Sequence, residues 1–157
     1  MIRAGELVGE VIRRTTFPVE AGKIQEFATS LHDSNPLYRD GNVAIGSGFS
    51  GIPAPPTFTA VAAHFHEGED LFTILGLDGA RVLHAGQEWQ YHRPVIAGEL
   101  VTCETTVDSV SSKVGRRGGE LTVIVLRTEY VGRSGEPLVT EAMTIIQVER
   151  PAARGSE

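Results

Sequence analysis

Tyr91-His92-Arg93-Pro94-Val95-Ile96-Ala97-Gly98-Glu99 separates two segments rich in Val, Thr and aromatic residues, and its Arg-Pro and Ala-Gly pairs are turn chemistry rather than strand interior. Read outward from this break, Arg81 to Tyr91 and Leu100 to Ser111 become candidate strands. Glu120 to Val131 and Glu136 to Val148 follow with the same β-branched and aromatic bias. Gly115 with Gly118-Gly119, then Gly132-Arg133-Ser134-Gly135, supply the remaining turns. Consecutive strands joined this way predict an antiparallel sheet.

The part of the chain before these strands reads differently. From Glu20 to Leu31 the apolar positions Ile24, Phe27, Ala28 and Leu31 recur at helical spacing, which predicts an amphipathic helix. Residues 6 to 17 are patchily apolar and predict a lead-in strand or extended arm. Asp33-Ser34-Asn35-Pro36 forms a turn, because Pro36 disfavours helical geometry at Asn35. Gly46-Ser47-Gly48-Phe49-Ser50-Gly51 formally matches a dinucleotide-binding fingerprint. That fingerprint needs a helix directly behind it, and Ile52-Pro53-Ala54-Pro55-Pro56 follows instead, so Gly41 to Gly51 is read as a loop. Pro55 and Pro56 suit a helix start with Thr57 as its cap. The helix itself runs from Phe58 to Phe65 and buries Phe58, Val61, Ala62 and Phe65 against the sheet. A loop with an apolar interlude, Leu71 to Leu75, leads into the strands. Helices first and strands later define an α+β fold class.

Composition narrows the function. The 157 residues, 41% hydrophobic and 22% charged, predict one globular domain over 1–150, with the small polar tail 151–157 disordered. No apolar run approaches the roughly 18 residues that span a bilayer, and no apolar stretch follows Arg3 as in a secretory signal. A cytoplasmic protein without a membrane partner is expected. The net charge of -6 argues against a nucleic-acid partner, which would need clustered Lys and Arg. Cys103, the single cysteine, excludes an internal disulfide and reads as a buried structural thiol. His64 and His66 are two residues apart on a helix and share no face, so no metal is predicted, and nothing calls for a cofactor. His32 is expected at an exposed helix end, Arg93 at a strand end, and Arg116-Arg117 in an exposed turn.

In order, Asp33-Ser34-Asn35-Pro36-Leu37, Ala54-Pro55-Pro56-Thr57-Phe58, His84-Ala85-Gly86-Gln87 and the Tyr91 to Glu99 stretch resemble the MaoC-like hydratase and dehydratase family over residues 6 to 149. More narrowly, they resemble the small (3R)-hydroxyacyl thioester dehydratase subunits of bacterial type II fatty-acid synthesis. The resemblance implies a hotdog fold: an antiparallel sheet wrapped around one long central helix, here about Thr57 to His66. It also implies that two such units pair with active sites at their junction, as a homodimer or as a heterodimer with a related subunit. The implied ligand is an acyl-CoA or acyl-ACP thioester, and the implied reaction is hydration of a trans-2-enoyl thioester or its reverse.

Within that resemblance Asp33 matches the catalytic carboxylate, and Asn35 with Pro36 would fix the loop that presents it. Thr57 and Phe58 match the backbone N–H donors that stabilise charge on the thioester oxygen, while His84 would line the substrate cleft. Tyr38 is the departure, because the family loop reads Asp-x-Asn-Pro-x-His. An unperturbed phenol, with a pKa near 10, is a poor base at neutral pH, although its hydroxyl can orient water or donate a proton. Three readings stay open. The chain is a subunit whose sister supplies the acid/base pair, or a self-sufficient hydratase using Asp33 with another group. The third is a non-catalytic acyl-thioester-binding hotdog or a thioesterase.

Overall fold

The computed structural model describes residues 2–115 and 119–148; Arg116-Arg117 and the tail 151–157 lie outside the described residues. Five strands form one sheet: β1 (Val11–Pro18), β2 (Val82–Tyr91), β3 (Leu100–Val114), β4 (Glu120–Val131) and β5 (Pro137–Val148). Their spatial order is β1-β3-β4-β5-β2, with every neighbouring pair antiparallel. β3, β4 and β5 are successive hairpins, so the predicted turns fall where the sequence places them. The β4–β5 turn closes with Gly132 N–H donating to the Glu136 carbonyl, and Gly135 holds φ 82, a conformation glycine adopts without a Cβ penalty.

Alternation along the strands puts one set of side chains on the face that carries the core. In one cross-sheet row Thr15, Cys103, Tyr130, Val139 and Tyr91 stand side by side; in the next, Arg13, Thr105, Thr128, Glu141 and Trp89 do. A third row aligns Val107, Leu126, Met143 and Gln87. The buried apolar residues accordingly fall into two cores. One gathers Phe17, Ile24, Phe58, Val61, Val101 and Leu138, and the other gathers Ala4, Leu75, Val107, Ile124, Leu126 and Ile145. The opposite face is polar, with Arg14 paired to Glu104 and Arg127 to Glu129.

Helix α1 (Ala21–Ser30) buries Ile24 and Ala28, as its periodicity predicts. Two short helices appear where loops are expected. In α2 (Gly41–Gly46) the Asp40 carboxylate accepts from the Asn42 and Val43 N–H groups; in α3 (Leu71–Leu75) Asp70 does the same for Phe72 and Thr73. These caps satisfy the orphan donors of segments too short to show a periodic stripe.

The central segment has the expected limits but a different form. Phe58–Phe65 is a 3-10 helix, not a long α-helix, and its buried residues pair at three-residue spacing, Phe58 with Val61 and Thr59 with Ala62. Thr57 does not cap it. That residue sits at φ 67, ψ 1 with no capping bond from its side chain, and Phe58 N–H donates to the Pro55 carbonyl at 3.1 Å. This is a type II turn with Pro56 and Thr57 at its centre, so proline has set a turn rather than a helix start.

Candidate active site

A cavity of about 430 Å³ opens between the loop after α1, the Pro53–Phe58 turn and the ends of β2 and β5; Leu37, Tyr38, Phe58, Tyr91, Val95 and Val139 are among its walls. Its lining is chiefly apolar. Tyr38 reaches the cavity from the loop after α1 and Tyr91 from the end of β2.

Side chains fold the loop that delivers Tyr38. Asp33 Oδ1 accepts from Asn35 N–H at 2.9 Å, and Asn35 Oδ1 accepts from Leu37 N–H at 3.1 Å. These consecutive Asx turns wind Pro36–Tyr38 into a 3-10 turn. Arg39 secures it from outside, donating to the Asn35 carbonyl and to Thr29 Oγ1. Leu37 and Tyr38 thereby reach the cavity, whereas neither Asp33 nor Asn35 contributes to its lining. Tyr38 packs against the first core, and its phenol pKa is raised by burial and then by the negative charge of Asp33. Both causes favour the neutral phenol.

The expected oxyanion donors are both engaged. Thr57 N–H donates to the Tyr91 hydroxyl at 3.0 Å, and Phe58 N–H is taken by Pro55. Phe58 lines the cavity, and its ring packs edge-on against Phe27 with ring centroids 5.5 Å apart. Tyr91 is a site residue that the sequence reading overlooked, although it stands at the head of the stretch that separates β2 from β3. Its position opposite Val139 aims it at the cavity.

His84 lies elsewhere. It is exposed on β2, with Nε2 3.2 Å from Gln87 Oε1, and does not contribute to the cavity lining. His92 borders the cavity, but its Nε2 is 3.0 Å from Thr140 Oγ1, which donates to Glu129 Oε2 on the polar face of the sheet. His92 follows the last residue of β2, and this bond engages one of its ring nitrogens. His32 is exposed after α1 at φ 56. Arg93 bridges Glu99 and Glu136, each at 2.7 Å, and ties the end of β2 to the β4–β5 turn. Cys103 is buried and its thiol is pushed up to about 11, first by desolvation, as expected of a structural cysteine. Among the described residues no cluster of three or more His, Cys, Asp or Glu side chains is arranged to hold a metal ion. No helix of the described residues is long and apolar enough to cross a membrane.

With this geometry in view, likeness to known proteins is informative. The family model for the FAS1-like dehydratase domain region matches residues 6–141. A UPF0336 protein of Thermobifida fusca (strain YX) is 36% identical over 141 residues, spanning 89% of each chain. The truncated HadBC (3R-hydroxyacyl-ACP dehydratase) complex from Mycobacterium tuberculosis superposes with a TM-score of 0.69 at 23% identity, over 85% of this chain and 93% of that one. An (R)-hydratase from A. caviae involved in PHA biosynthesis gives 0.64 at 22%, over 84% and 90%. At such identities the likeness shows the fold, which is the hotdog that the motifs imply.

Proposed function

Since the chain belongs to the FAS1-like dehydratase family and has the MaoC-like hotdog fold, we propose that it is a cytoplasmic subunit of an (R)-specific enoyl-thioester hydratase or 3-hydroxyacyl-thioester dehydratase. Its substrate is an acyl-CoA or acyl-ACP thioester, and a related hotdog subunit supplies the acid/base pair. The observation that carries this reading is Tyr38. The family loop directs this position into an apolar cavity, and a phenol with a raised pKa stands there instead of an imidazole.

The chemistry needs a group that takes a proton from water as its oxygen bonds to the β-carbon, and a donor that protonates the α-carbon. In reverse the hydroxyl leaves as water. A neutral phenol can donate but is a weak acceptor at neutral pH. The thioester oxygen also needs donors, and here the N–H groups of Thr57 and Phe58 already have partners. A homodimer would duplicate both deficits. A sister chain with the full Asp-x-Asn-Pro-x-His loop supplies the missing acid/base pair, leaving the apolar cavity of this chain to receive hydrocarbon.

The test is hydration of crotonyl-CoA, followed by loss of the enoyl absorbance. The isolated chain is expected to be silent and to gain turnover when a histidine-bearing hotdog chain is added. Turnover by the chain alone, abolished by Asp33→Asn, would contradict the subunit reading in favour of autonomous catalysis. Release of coenzyme A without hydration would replace it with a thioesterase.

A further inference from the structure

The N–H groups of Thr57 and Phe58 both have partners, but the partners differ in kind. Phe58 N–H goes to the Pro55 carbonyl, which has no proton to pass on. Thr57 N–H goes to the Tyr91 hydroxyl at 3.0 Å, which has one. Among the described residues that hydroxyl has no acceptor for its own proton. Tyr91 lines the cavity beside the turn residues Pro55 and Pro56 and is 47% exposed, so it is open to a ligand there.

The other polar side chains around the cavity are placed differently. Arg93 directs its terminal nitrogens to Glu99, Glu136 and the Pro94 carbonyl. His92 has a ring nitrogen bonded to Thr140, and Thr59 Oγ1 accepts from Trp89 Nε1. Tyr38 stands at the loop position of the family imidazole. Tyr91 is the lining residue whose hydroxyl oxygen accepts a backbone N–H, and that bond polarises its O–H. Hydrogen bonds in series reinforce one another, which makes this phenol a stronger donor than an isolated one.

From this arrangement we infer that Tyr91 is a catalytic residue of the proposed reaction, its hydroxyl donating to the thioester oxygen while Thr57 N–H donates to the phenol from behind. This role rests on the thioester reading and supplies the donor that the engaged N–H groups withhold. The turn then acts on the ligand at one remove, through a side chain. Charge grows on the thioester oxygen as the water oxygen bonds to the β-carbon, and it falls again when the α-carbon takes its proton. Tyr91 keeps its own proton throughout. A purely structural role, tying β2 to the turn, needs the oxygen of Tyr91 but not that proton.

Two unreactive ligands separate the roles: a saturated acyl-CoA thioester, and the thioether of equal length with a methylene in place of the carbonyl. Each is titrated calorimetrically into the full chain. Tyr91→Phe is expected to weaken the thioester about tenfold and to leave the thioether unchanged. Raman difference spectra of the bound thioester, isotope-labelled at its carbonyl, need only the native chain. The C=O stretch should fall below its value in a hydrocarbon solvent. A stretch that matches the hydrocarbon value overturns the inference, as does an equal effect of Tyr91→Phe on both ligands, and either result leaves the thioester reading standing. Failure of both ligands to bind the native chain overturns that reading as well.

Discussion

Thr57 holds a β-branched side chain at φ 67, where Cβ crowds the following carbonyl. Replacing it with glycine relieves that crowding, and Thr57→Gly is expected to stabilise the fold by about 1 kcal/mol in urea denaturation; a loss of stability would show that the threonine side chain matters more than the turn. The outcome at this residue could not be read locally, because Pro56-Thr57 fits both a helix start and a type II turn. The Tyr91 hydroxyl, from a strand far along the chain, receives the Thr57 N–H that the turn presents. Tyr38 is the opposite case: its substitution for histidine is visible in six residues, and the structure adds where the phenol goes. Glu136 yields a pH prediction. Its carboxyl is held down to about 2 from an ordinary 4.5, first by its own backbone N–H and then by the Arg93 and Ser134 side chains. A carboxyl lowered by folding contributes fully above its unfolded pKa, and that contribution disappears as pH falls through the folded value. Acid titration of stability should therefore decline between about 4.5 and about 2, and Glu136→Gln should flatten that part of the curve. Identical slopes for the two proteins would rule the contribution out.

At the scale of elements, the strands were legible because Val, Ile, Thr and aromatic runs bounded by glycine-rich turns have few other outcomes. Ile124 shows what that pattern accomplishes: it is fully buried in β4 within the second core. Ile124→Ala should cost roughly 2–5 kcal/mol, read as a lower urea midpoint; a negligible change would mean that this core contributes little to the fold. Helices α2 and α3 were not legible. Each is one to two turns long and depends on a single aspartate cap, Asp40 or Asp70, which in sequence looks like any turn residue. The central segment was placed correctly, but the positions Phe58, Val61, Ala62 and Phe65 fit a helical stripe of either period nearly as well. The observed pairing of Thr59 with Ala62 decides for the tighter winding.

For the whole molecule, the motifs pointed to a hotdog, and both the sheet order and its structural relatives agree. The cross-sheet row of Arg13, Thr105, Thr128, Glu141 and Trp89 was hidden. Its members lie on five strands, and their alignment depends on registers with irregularities at Val11/Arg13, Val107/Ser109 and His84/Gly86 that no local pattern reveals. The central claim is that this chain shapes the site while its sister performs the proton transfers. It is tested most directly by kcat for enoyl-thioester hydration in the reconstituted pair, with the loop aspartate of each chain changed to asparagine in turn. Asp33→Asn should leave kcat within about twofold of the native pair, whereas the same change in the histidine-bearing sister should lower it by about 10²–10⁴. Collapse of kcat on Asp33→Asn would contradict the account and place the acid/base chemistry in this chain.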